Sequence, residues 1–184
     1  FGIVVSHGLD GFVVGHFLSL YWVGTYSFVF RLMAVATRMT ASGCQILFPM
    51  MSRLFAQNNL ADSRALFLRA SRWAFFANAA MLVTLMVTFP LIFELTVQGE
   101  IRYSDTTWLR WIGFSSALLT AFIFPVAHYL NSHGYTRFAM VSSLCTSASN
   151  LACSIALVGP MGAVGVALGT LIPQCVEYMG FMIP

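Results

Sequence analysis

Trp73 to Val97 reads WAFFANAAMLVTLMVTFPLIFELTV, and no charge appears in it before Glu94. A helix that crosses a bilayer needs about 20 mostly apolar residues, and this stretch supplies them. The rest of the chain has the same character. Of 184 residues, 59% are hydrophobic and 8% charged, against about 25% charged in an ordinary soluble domain. A water-soluble fold of this size needs more polar surface to cover itself, so the solvent this sequence expects is lipid.

Working outward, five further apolar runs flank the first one. They occupy about 1–20, interrupted by Asp10; 23–51, containing Arg31 and Arg38; 108–130; 138–158; and 162–184. The run 23–51 is long enough to need strong tilt or an extension into the cytosol. Between the last two runs, Gly159 to Gly162 read GPMG, a pairing of proline and glycine that makes a tight turn. Runs of this length are too long for strands, and the strands of a membrane barrel would alternate apolar and polar residues. The expected fold class is all-α: a polytopic membrane protein, one lobe of about six transmembrane helices spanning 1–184. With Phe1 in place of methionine and Pro184 closing an apolar run, both ends read as cut from a longer chain.

The net charge of +3 comes from nine arginines, with no lysine. They are too scattered for a nucleic-acid footprint, which needs a continuous basic face. Instead they orient the chain. Arg53, Arg64, Arg69 and Arg72 face one acid, Asp62, between 53 and 72, and Arg137 follows the fourth run. The connections on the opposite side are uncharged or acid-rich. The positive-inside rule therefore puts 53–72 and 131–137 in the cytoplasm, and the expected location is the inner (cytoplasmic) membrane, crossed several times. Trp22, Trp73, Trp108 and Trp111 sit near run ends, as an aromatic belt requires. DSRALFLRASR (62–72) is expected as an interfacial helix capped by Asp62 or Ser63. Cys44, Cys145, Cys153 and Cys175 lack metal-ligand spacing and read as packing residues.

Several local motifs, taken in order, resemble one family. Asp10, Gly15, Val23, Gly24 and Tyr26 match an aspartate-bearing helix that turns through valine-glycine-x-tyrosine into the next. Phe48, Pro49 and Ser52 match its phenylalanine-proline-x-x-serine ending, Gly134 and Arg137 a glycine-basic turn, and Pro160, Gly162 and Gly165 a proline-x-glycine-x-x-glycine turn. Ser19 departs from the glycine of many relatives. The order resembles the C-terminal lobe of polysaccharide flippases (the O-antigen, or Wzx, type) in the multidrug/oligosaccharidyl-lipid/polysaccharide exporter superfamily, whose members have 12–14 helices. The resemblance implies a transporter, not an enzyme. It would flip an undecaprenyl-diphosphate-type lipid-linked oligosaccharide by alternating access for polysaccharide biosynthesis. It implies no cofactor; its partners would be the lipid-linked oligosaccharide, membrane lipids and the missing N-terminal lobe of the same chain. A multidrug or cation antiporter of the same superfamily is the alternative.

The charged residues inside the runs are the candidate site. Arg31 and Arg38 lie two helical turns apart, hence on one face. If the first hairpin turns at Tyr21 and Trp22, Asp10 falls level with Arg31, and His7 falls near Arg38. The expected substrate-binding residues are therefore Arg31, Arg38, Asp10 and His7. Two readings stand: an inert ion pair that fixes helix register, or a cationic cavity for a diphosphate, which the guanidinium fork binds bidentately. Asp10 and Glu177, the latter near a kink expected at Pro173, are the candidates for coupling to an ion. His16, His128, His133 and Glu94 read as packing or interfacial residues. Gly162, Gly165 and Gly169 are expected to let helices pack closely. No acid cluster, metal-ligand spacing or nucleophile–base pair suggests an enzyme.

Overall fold

The computed structural model describes residues 2–97 and 101–182, and side chains from 9 to 97 and 101 to 180. Among these residues there are helices and no strand. The elements are α1 (Gly2–Phe17), α2 (Leu20–Cys44), α3 (Leu47–Ala56), α4 (Leu60–Thr96), a short 3-10 turn (Tyr103–Thr106), α5 (Thr107–Ser132) and α6 (Thr136–Met182). Three helical stretches are long and apolar enough to cross a membrane: Leu60–Thr96, Tyr103–Ser132 and Thr136–Gly180.

The helix ends differ from the expected ones for local reasons. α1 stops at Phe17 and α2 begins at Leu20, so the first turn falls at Leu18 and Ser19, earlier than Tyr21 and Trp22. The long run 23–51 is divided at Gln45 and Ile46. Pro49 explains the division: it has no amide hydrogen to give to the carbonyl four residues back, which is Gln45. In the first turn of α3 that missing donor costs nothing. The interfacial helix expected over 62–72 is the first third of α4, continuous with the apolar stretch beyond it. Its cap is neither Asp62 nor Ser63. Asn59 caps it by accepting from the Asp62 amide at 3.2 Å, while its own amide donates to the Asp62 carboxylate at 2.7 Å.

The tight turn expected at GPMG is present inside α6. Gly162 has φ 60° and ψ −138°, a conformation that only glycine adopts readily, and α6 is a helical hairpin around it. Its arms, 136–161 and 163–182, run antiparallel, which the contacts between them show: Ser142 meets Glu177, Ser154 meets the Val166 carbonyl, and Gly165 lies against Leu157. The break in helical dihedrals inside α6 falls at Gly162, while Pro173 lies within the second arm. Gly165 and Gly169 face the first arm, as expected of close-packing residues. A Cβ on Gly169 would lie 2.6 Å from the Ser154 amide nitrogen. α5 ends in a Schellman turn: Gly134, at φ 83°, and Tyr135 return hydrogen bonds to Asn131 and Leu130.

Three apolar clusters stack along the bundle. The largest, near the α1–α2 turn, gathers Val14, Val29, Phe89, Leu109 and Val166. A middle one holds Met33, Leu82 and Ala117, and the one beside α3 holds Cys44, Met51 and Ala74. Buried amides tie the helices between them. Asn78 donates to the Ala117 carbonyl at 2.9 Å and accepts from Thr40 at 3.1 Å, and Ser116 donates to Gln174 at 2.6 Å. At the end near the 3-10 turn, the Tyr21 hydroxyl donates to Asp105 at 2.6 Å and accepts from the Arg102 amide at 3.0 Å.

Candidate functional site

Asp10 sits on α1 with 1% of its surface exposed. One carboxylate oxygen accepts from the Tyr26 hydroxyl of α2 at 3.1 Å and from the Thr170 hydroxyl of the second α6 arm at 2.8 Å. Asn150, on the first α6 arm, supplies another side-chain hydrogen bond. Ser154 donates to Asn150 at 3.0 Å and lies 3.4 Å from the Val166 carbonyl. Tyr26, Asn150, Ser154 and Thr170 are all buried. The result is a buried carboxylate set among hydroxyls, an amide and a backbone carbonyl, at the junction of α1, α2 and both arms of α6. Burying a carboxylate is costly unless hydrogen bonds compensate it, and here two hydroxyls and an amide supply them.

The local sequence builds this junction. Gly165 and Gly169 bring the α6 arms close enough for Ser154 to reach Val166, and the pairs 150/154 and 166/170 each point to one helical face. Tyr26 comes level with Asp10 because the hairpin turns at Ser19. That early turn also corrects the expected pairing of Asp10 with Arg31. Arg31 lies five residues beyond Tyr26, about 7 Å further along α2, with its side chain exposed. The acid therefore packs inward on Tyr26 and Thr170, and no ion pair joins it to Arg31 among the described residues.

Arg31 instead lines an open groove of about 1000 Å³ between α2 and the end of α4, with Gly24, Ser27, Phe28, Thr96 and Ile101. Arg38 is also exposed, on the same face two turns on, about 10 Å along the axis. Neither guanidinium has a hydrogen-bond or ion-pair partner among the described residues. The side chain of His7 lies outside the described residues. Glu177 is half-buried and accepts from Ser142 at 3.2 Å. It sits two turns past Thr170, away from the Gly162 turn, so the two coupling candidates belong to different places in the bundle.

His16 is exposed and packs on Phe12 and Phe17. His133 closes α5, between the rings of Phe55 and Tyr129. The described residues contain no group of three or more His, Cys, Asp or Glu side chains arranged to hold a metal ion. No motif in the sequence singles out Asn150, Ser154 and Thr170. The available signal was the recurrence of polar residues four apart inside apolar runs. Comparison with family models, with curated proteins and with solved structures returned no match.

Proposed function

We propose that this chain forms one lobe of a carrier that flips undecaprenyl-diphosphate-type lipid-linked oligosaccharides across the cytoplasmic membrane, by alternating access, for polysaccharide biosynthesis. The observation that carries the reading is the pair of exposed guanidiniums, Arg31 and Arg38, on one face of α2 beside an open groove. An arginine facing lipid at mid-membrane depth costs from about 3 to more than 10 kcal/mol, so this face belongs to a wet cavity. The planar guanidinium fork suits diphosphate oxygens. A second lobe opposite α2 completes the cavity.

In this reading α1, α2, the 73–97 part of α4, α5 and the two arms of α6 are six spans. The arginine-rich connections 53–72 and 131–137 are cytoplasmic. Asp10 is the coupling group. Its charge state, or a small cation held among the same oxygens, sets how α1 packs on α6 and so biases which side the cavity opens to. The same buried acid favours a second reading, a multidrug or cation antiporter, in which Asp10 remains and the arginines lose their role.

The test is a polysaccharide-export complementation assay with protein level checked in the membrane. Arg31→Ala should abolish export while the protein accumulates normally, and Arg31→Lys should rescue partly because it keeps charge without the fork. Normal export by Arg31→Ala would take the diphosphate role from Arg31, and failure of the unaltered full-length protein to support export would reject the flippase reading in favour of the antiporter.

A further inference from the structure

Where the charged part of α4 meets its apolar part, the helix presents a face with nothing packed on it. Arg69 and Arg72 are both exposed and three residues apart, hence neighbours on that face. Neither has a hydrogen-bond or ion-pair partner among the described residues. With Leu68, Trp73 and Phe76 they line a groove of about 510 Å³. Trp73 is 71% exposed and Phe76 64%. Trp73 is also a wall of a second, apolar groove of about 300 Å³, where Met39, Gly43, Ala77 and Met81 leave a furrow between α2 and α4. From Trp73 to Met81 this furrow runs about 12 Å along the helix axis.

We propose that this face binds one anionic glycerophospholipid. The phosphodiester sits between the guanidiniums of Arg69 and Arg72, and an acyl chain lies in the furrow from Trp73 to Met81. Three features of the face match such a molecule. Two fixed positive charges sit at one end, and the nearest acid on the same helix is Asp62, two turns back from Arg69 and already bonded to Asn59. An amphipathic ring marks the level where headgroup gives way to chain. Below it the furrow is apolar, and Gly43 provides open space on its α2 side. Juxtamembrane arginines draw anionic lipid by charge, and the forked guanidinium adds phosphate geometry to that attraction. The inference rests on the membrane orientation proposed above, in which this face meets the cytoplasmic leaflet; it does not require that the protein flip anything.

The test uses the full chain with every tryptophan other than Trp73, including Trp22, Trp108 and Trp111, replaced by phenylalanine, so that Trp73 alone fluoresces. It is reconstituted in phosphatidylcholine vesicles into which acyl-brominated phosphatidylglycerol or phosphatidylcholine is titrated. Brominated phosphatidylglycerol should quench Trp73 at a lower mole fraction than brominated phosphatidylcholine. Arg69→Gln/Arg72→Gln should raise that mole fraction by about tenfold to thirtyfold, roughly fivefold for each arginine, and Arg69→Lys/Arg72→Lys should keep the preference. Equal quenching by the two lipids would overturn the proposal, as would loss of the preference in the lysine pair. Relief of the quenching by undecaprenyl diphosphate would also overturn it, by giving the site to the substrate lipid. Because the readout is binding, a failed export assay leaves this result standing, and the reverse holds too.

Discussion

Replacing Gly169 by alanine tests the α6 hairpin and the Asp10 junction together. The added Cβ would lie 2.6 Å from the Ser154 amide nitrogen and 2.8 Å from its Cα. Both are backbone atoms, so no side-chain rotation relieves the overlap. Ordinary contact begins near 3.4 Å, so the arms must separate by about 0.8 Å, and overpacking of this kind costs about 1–3 kcal/mol. Alanine's higher helix propensity returns about 1 kcal/mol, which leaves a loss of up to about 2 kcal/mol. For a chain of this size that is a fall in Tm of up to about 8 °C, read by thermal unfolding in detergent micelles. Gly43 supplies the control, because a Cβ there meets nothing within 4 Å. Gly43→Ala should raise stability by about 0.5–1 kcal/mol. If Gly169→Ala matched Gly43→Ala, the close approach of the two arms would be refuted.

Other perturbations follow from single contacts. Asn78→Ala should lower stability by about 1–2 kcal/mol in the same assay, since it removes two interhelical hydrogen bonds and leaves the Thr40 hydroxyl with the Ala36 carbonyl alone. Tyr21→Phe should cost about 1–2 kcal/mol by leaving Asp105 and the Arg102 amide without the hydroxyl between them. In intact cells, cysteines placed at the exposed positions Ala61 and Tyr135 should react only with reagents that reach the cytoplasm; labelling of either from outside would reverse the proposed topology.

The sequence carried the helices better than it carried their partners. Uncharged length made α4, α5 and the arms of α6 legible, and GPMG marked the Gly162 turn, because apolar length and positive φ are local properties. What failed was register. Counting from a turn assumed at Tyr21 set Asp10 against Arg31, whereas the turn at Ser19 sets it against Tyr26. An error of two or three residues in a turn doubles across a hairpin, so depth arguments from sequence alone are fragile even where both helices are right. Thr170 and Asn150 were harder still. Each reaches Asp10 across 140 or more residues of chain, and no local pattern states which face of α6 meets α1.

The corrected register yields a sharp difference in thermodynamic coupling, measurable before any transport assay. Asp10→Asn keeps the shape of the side chain and an oxygen that can still accept from Tyr26 and Thr170 while removing the charge, so it should cost little stability. Asp10→Ala should cost about 3 kcal/mol or more, because Tyr26, Thr170 and Asn150 all lose an acceptor in the interior. In double-mutant cycles read by thermal unfolding, Asp10→Ala with Thr170→Val should be non-additive by about 1–2 kcal/mol, since the two share a hydrogen bond. Asp10→Ala with Arg31→Gln should be additive to within about 0.5 kcal/mol, since Arg31 is exposed and shares no partner with the acid. A coupling above about 1 kcal/mol between Asp10 and Arg31 would restore the ion pair and refute the geometry described for this site. Additivity there, with Asp10→Asn folded and stable yet inactive in export, would separate the two charges by role. The arginine would act on the substrate and the aspartate on the packing of α1 against α6.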